Sequence, residues 1–154
     1  MPDKKQRDLE LFIVDIFVAI HKIRLYTKQF ETAESLRYDS LHWDATIREL
    51  ELIGEALNNL LDDDEFAKVA PKYFRKVVNF RNAISYGYFG IDEEEVWKII
   101  KNKLEQLLED IFEICDQFIN LETAIKTQIS DYEKLKDTQT VEYLKTFLSK
   151  ENQK

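Results

Sequence analysis

Three glycines and two prolines in 154 residues leave few turn-formers for a sheet protein of this size, where every strand reversal draws on such residues. The scarcity implies long helices. A single cysteine, Cys115, excludes an intrachain disulfide, and its place in the run Ile111-Phe112-Glu113-Ile114-Cys115 reads as a small core hydrophobe in a reducing compartment. No stretch approaches the roughly 18 uncharged residues that span a bilayer. The opening Met1-Pro2-Asp3-Lys4-Lys5-Gln6-Arg7-Asp8 lacks the apolar core of a secretory signal, so a soluble, cytoplasmic protein without membrane partners is expected. Histidine is also scarce. His21 and His42 stand outside any Glu-x-x-His pair of the kind that builds metal sites in helical bundles, and both read as structural. Cysteine clusters, a Gly-rich phosphate loop and a Gly-x-Ser-x-Gly elbow are missing, and neither metal nor cofactor is expected.

What the chain has is apolar periodicity. Its 44% hydrophobic content, with ten Phe and seven Tyr, suffices for one core, and one domain is the expectation for this length. Leu9, Phe12, Ile13, Ile16, Phe17, Ile20 and Ile23 recur at three and four residues and predict a helix over 7–27. Trp43, Ile47, Leu50, Ile53, Leu57 and Leu60 predict a second over 41–61. Gly54 lies inside that second helix at a cost of about 1 kcal/mol relative to Ala, which points to a close helix crossing. After the acidic break Asp62-Asp63-Asp64-Glu65, Pro71 can occupy the first turn of a short helix over 71–85, which Gly87 and Gly90 end. Asp92, with Glu95 three residues on, resembles an N-cap pair. From there an unbroken stripe, Val96 through Ile119, predicts a helix running to about residue 132, followed by a terminal helix over 140–149. The expected fold is an all-α, antiparallel bundle of four to five helices with a long C-terminal helix. A helix of roughly 38 residues outreaches such a bundle, so it must bend or offer its free part to a partner.

The formal charge of −8 argues against nucleic acid, which binds basic surfaces. Its distribution argues otherwise. Between Glu65 and Asp92 stand Lys68, Lys72, Arg75, Lys76 and Arg81 without one acid. A solvated basic helix face explains such a run equally well until its neighbours are considered. Those neighbours are Arg81-Asn82-Ala83-Ile84-Ser85-Tyr86-Gly87-Tyr88, where a cation, an amide, a hydroxyl and two phenols gather at a helix end. Capping and packing alone also bring glycines and aromatics to helix ends.

This segment resembles the signature of HEPN-domain ribonuclease toxins of the HepT type, in which Arg is followed after four residues by His, then any residue, then Tyr. The sequel Gly87-Tyr88-Phe89-Gly90-Ile91-Asp92 with Val96-Trp97, and the earlier block from Trp43 to Ala56, resemble the same family in the same order. The resemblance covers about residues 9–119 and implies a HEPN-like bundle over 1–120, with 121–154 as a helical extension of the same domain. It further implies the toxin of a toxin–antitoxin pair: a metal-independent endoribonuclease of transfer or messenger RNA that leaves cyclic phosphate ends, its site assembled in a homodimer. Arg81 would stabilise the phosphate and Asn82 support it. Lys72, Arg75 and Lys76 would hold RNA, and Tyr88 would accept AMP from a minimal nucleotidyltransferase antitoxin. The histidine that should move the proton is absent, and Tyr86 stands in its place. A phenol with a reference pKa near 10 is a poor base at neutral pH where imidazole, near 6.5, is a good one. The resemblance therefore implies a strongly impaired catalyst. One base change separates the two codons, so a detoxified copy and a diverged family member both account for the tyrosine. Two other readings fit the residues: a non-catalytic module that binds nucleotide or RNA, and a helical interaction protein that works through its last helix.

Overall fold

The computed structural model describes residues 4–85 and 90–152, apart from the side chains of residues 85, 117, 118, 151 and 152. Among the described residues no strand occurs, and no helix is long and apolar enough to cross a membrane. The expected all-α class is what the chain adopts. Helix α1 (Lys4–Thr27) packs along α3 (Ser40–Leu61), and α3 packs on its other side against α5 (Tyr73–Ser85). The periodic residues that predicted the first two helices supply the centre of the core: Ile13, Ile16, Phe17, Ile20, Ile53, Leu57 and Leu60 are all buried.

Two short helices occupy stretches whose polarity concealed them. α2 (Ala33–Arg37) opens on a reciprocal cap in which the Thr32 hydroxyl accepts the Ser35 N–H at 3.1 Å and Ser35 Oγ accepts the Thr32 N–H at 3.3 Å. α4 (Asp64–Val69) opens on Asp63, which accepts the Phe66 N–H at 2.9 Å. Each cap satisfies backbone donors that a helix start otherwise leaves unpaired.

The stripe from Val96 onward is not one straight helix to residue 132. It comprises α6 (Glu93–Lys98), a π-helical segment (Ile99–Lys103) and α7 (Leu104–Phe118), and it stops at Ile119, whose backbone is extended at φ −133° and ψ 131°. Asn120 then accepts the Glu122 N–H at 2.8 Å and starts α8 (Glu122–Lys134). The reversal is driven by burial: Leu121 and Ile125 both reach zero exposure by turning back on the bundle. The chain thus resolves the length problem by breaking.

α8 and α9 (Thr138–Asn152) form a hairpin against α1. Lys136 turns it with φ 57°, and Asp137 caps α9 by accepting the Thr140 N–H and hydroxyl at 3.1 and 2.7 Å. Three contacts fasten it: Phe147 stacks on Phe17 at 4.6 Å, the Lys22 ammonium lies 5.1 Å from the Tyr132 ring centre, and His21 stacks on Tyr143 at 4.4 Å. Burial pushes the His21 pKa below its ordinary value of 6.5, against a smaller opposing pull from Asp137. The unfolded chain therefore binds a proton that the folded chain resists. This contribution is fully present above pH 6.5 and is lost as pH falls from there through the depressed pKa. Thermal melts at pH 7.5 and 5.5 are expected to differ less for His21→Phe than for the parent chain; an equal pH dependence in both would contradict it.

Candidate active site

Helix α5 starts from a turn in which Phe74 N–H and Arg75 N–H donate to the carbonyls of Pro71 and Lys72, so Pro71 precedes the helix by two residues. Phe74 and Val78 face the core at 0% and 3% exposure. Arg81 lies seven residues after Phe74 and three after Val78, so at 3.6 residues per turn it belongs to their stripe. A large cation thus points at α3, where a core side chain would ordinarily stand.

Gly54 is what admits it. A Cβ at Gly54 would lie 2.2 Å from Arg81 Cβ and 2.7 Å from Arg81 Cγ, distances no relaxed pair of carbon atoms tolerates. The close crossing expected from the sequence is therefore a crossing onto Arg81. Its aliphatic stem fills the notch, and the half-exposed guanidinium donates through Nη1 to Asn82 Oδ1 at 3.0 Å. Asn82, the next residue along the helix, thus pairs with one edge of the guanidinium. Gly54→Ala is expected to destabilise the fold by about 1–3 kcal/mol, the usual cost of overpacking a well-filled contact. Arg81→Ala should not relieve it, because the offending atom is Cβ. A urea midpoint unchanged by Gly54→Ala would contradict this account.

Lys72, Arg75 and Lys76 are exposed on the outward side of this segment, and no ion pair engages them among the described residues. The sequence offers a solvated basic helix face as one explanation of this run of cations. The structure separates them: three face solvent and Arg81 faces α3.

Beyond α5, Gly90 takes φ +96°, a left-handed backbone that favours glycine. Asp92 caps α6 by accepting the Glu94 N–H at 2.9 Å. Tyr86, Gly87 and Tyr88 lie outside the described residues. Both histidines are engaged elsewhere. His42 Nδ1 meets Asp39 Oδ1 at 2.8 Å, and the same carboxylate accepts the His42 N–H as the cap of α3, which holds Asp39 below its usual range. Twelve residues, or about 18 Å of helix, separate His42 from Gly54.

One anchor of α5 had no local signal. The Tyr73 hydroxyl donates to Asp110 Oδ2 at 2.5 Å, tying the start of α5 to α7 across 37 residues of sequence. Burial, reinforced by this carboxylate, pushes the phenol well above its ordinary pKa and keeps it a neutral donor.

The model of the HepT-like ribonucleases matches residues 16–114, which include Gly54, Arg81, Asn82, Tyr86 and Tyr88. The chain belongs to the HepT-like ribonuclease family. Two candidate RNases of Methanocaldococcus jannaschii are similar to it. One is 29% identical over 106 residues, covering 69% of this chain and 95% of the relative. The other is 33% identical over 110 residues, covering 71% and 88%. A protein of Thermococcus cleftensis assigned as a ribonuclease HepT is 32% identical over 97 residues, covering 62% of this chain and 86% of its own. No solved structure matches the chain. The HepT-like match ends within α7, so the α8–α9 hairpin lies outside it.

Proposed function

We propose that the chain is a HepT-type toxin: an endoribonuclease scaffold whose proton-transferring position is disabled by Tyr86. The observation that carries this reading is Arg81, seated in the Gly54 notch with its guanidinium braced by Asn82, in a chain of a ribonuclease family. In the reaction the ribose 2′-oxygen attacks the adjacent phosphorus, the bond to the 5′-oxygen breaks, and a cyclic phosphate remains. Arg81 stabilises charge on the phosphoryl oxygens. The group at position 86 takes the 2′-hydroxyl proton and returns one to the leaving oxygen. The separation of Arg81 from the solvent-facing Lys72 and Arg75 supports a homodimer, in which a second protomer adds those cations to the RNA-holding Lys76. Residues 1–120 form the HEPN unit, and 121–154 extend it as the hairpin on α1.

The toxin is silenced when a minimal nucleotidyltransferase transfers AMP to Tyr88: the phenol oxygen attacks the α-phosphorus of ATP, and pyrophosphate leaves. The added phosphate repels RNA beside Arg81. Incubation with ATP and such an enzyme is expected to add AMP to the chain and not to Tyr88→Phe, as read by intact mass; modification that persists in Tyr88→Phe would overturn the assignment. The toxin reading itself is tested by expressing Tyr86→His, which arrests growth and degrades RNA while the parent chain does neither. Tyr86 is also the observation that favours a second reading, a non-catalytic module that binds nucleotide or RNA. That module binds RNA unchanged and stays inert after Tyr86→His.

A further inference from the structure

Between α5 and the α6–α7 ridge lies an apolar cavity of about 440 Å³, a size that suits a single small organic group. Leu50 and Ile53 of α3 form part of its lining, Tyr73 and Phe80 contribute aromatic rings from α5, and Ile99 and Leu104 face them. The π-helical segment forms part of its wall through Ile99 and Lys103. The Leu104 N–H reaches back five residues to the Ile99 carbonyl, and no residue of the segment is buried, so Ile99 remains half-exposed. Turns of this kind are uncommon and frequently mark functional positions. The rim carries Lys76 on one side and Lys103 on the other, with Glu95 as the acid among the lining residues. Ile53 directly precedes Gly54, which seats Arg81, so the cavity and the candidate active site share α3.

We propose that this cavity takes one unpaired nucleobase of the RNA strand bound at Arg81, with Lys76 and Lys103 on the flanking phosphates. The inference rests on RNA being the ligand. Aromatic rings between two cations match a base between two phosphates, because stacking holds the base and charge holds the backbone. Glu95 accepts a hydrogen bond from an exocyclic amine, and no side chain of the lining other than Glu95 and Gln106 offers a neutral or anionic acceptor beyond the Tyr73 hydroxyl. A base inside an A-form helix is stacked and paired, so the cavity selects single-stranded segments and loops over duplex.

The test uses the full chain, whose impaired chemistry leaves the RNA intact, with a fluorescent single-stranded oligoribonucleotide and a duplex of the same sequence. Phe80→Leu removes the ring, and the exposed Lys103→Glu reverses a rim charge without touching the core. Each is expected to weaken single-strand binding about tenfold, the loss of one stacked base or one phosphate contact, and Phe80→Leu is expected to leave duplex binding unchanged. Equal single-strand affinity in both variants, with binding still lost on Arg81→Ala, would overturn the base site and leave the ribonuclease reading standing. Absence of RNA binding by the parent chain would overturn both. A change from dimer to monomer by light scattering in Lys103→Glu would assign the cavity to a second copy of the chain and overturn the proposal.

Discussion

Histidine at position 86 is expected to raise the single-turnover rate of RNA cleavage by about 10²–10⁴-fold, the usual yield of a positioned acid–base group. At pH 7 a phenol with pKa near 10 is ionised in about one molecule in a thousand, so a tyrosine at this position is expected to be a poor acceptor of the 2′-hydroxyl proton. An imidazole near 6.5 is divided between its two forms and can both take and return it. The gain should therefore appear in the chemical step, with RNA affinity nearly unchanged. Its pH profile should be bell-shaped around neutrality, while the parent's residual rate rises toward alkaline pH. A gain confined to RNA affinity would place residue 86 in binding and remove it from proton transfer.

Removing Arg81 in the Tyr86→His background is expected to lower cleavage by about 10²–10³-fold, comparable to deleting one donor from an oxyanion-stabilising site. Arg81→Lys should recover little of this. The notch at Gly54 fixes the stem at Cβ and Cγ, and Asn82 fixes the planar fork, so a lysine has neither the second donor nor the brace. Cleavage by Arg81→Lys at the restored rate would show that only a charge is needed there. Arg81→Ala in both backgrounds is a clean measurement, because the chain keeps the Cβ that lies against α3.

The bundle was legible from apolar spacing wherever one face of a helix meets the core, as Ile13 to Ile23 and Leu50 to Leu60 show. Gly54 was legible as a crossing because a glycine inside an otherwise regular helix needs a reason. Its partner was not, since nothing local says that Arg81 joins the stripe of Phe74 and Val78. The break at Ile119 was hidden because Leu121 and Ile125 continue the apolar rhythm, and only Asn120, whose side chain accepts the Glu122 N–H, marks the reversal. α2 and α4 were hidden by polar composition, although Thr32 with Ser35 and Asp63 carry readable caps. The π segment and the Tyr73–Asp110 bond arise from tertiary packing, and no spacing in the sequence encodes them. Of the candidate site, residue types and order came from the motif, and the inward seat of Arg81 came from the structure alone.

In the proposed function this chain's own side chains direct attack of the ribose 2′-hydroxyl on the neighbouring phosphate. End-group analysis of RNA cut by the Tyr86→His variant in excess chelator tests it most directly. The account predicts undiminished cleavage with cyclic phosphate at the 3′ ends and hydroxyl at the 5′ ends. Cleavage that stops with chelator, or fragments ending in a 3′-hydroxyl and a 5′-phosphate, would contradict it.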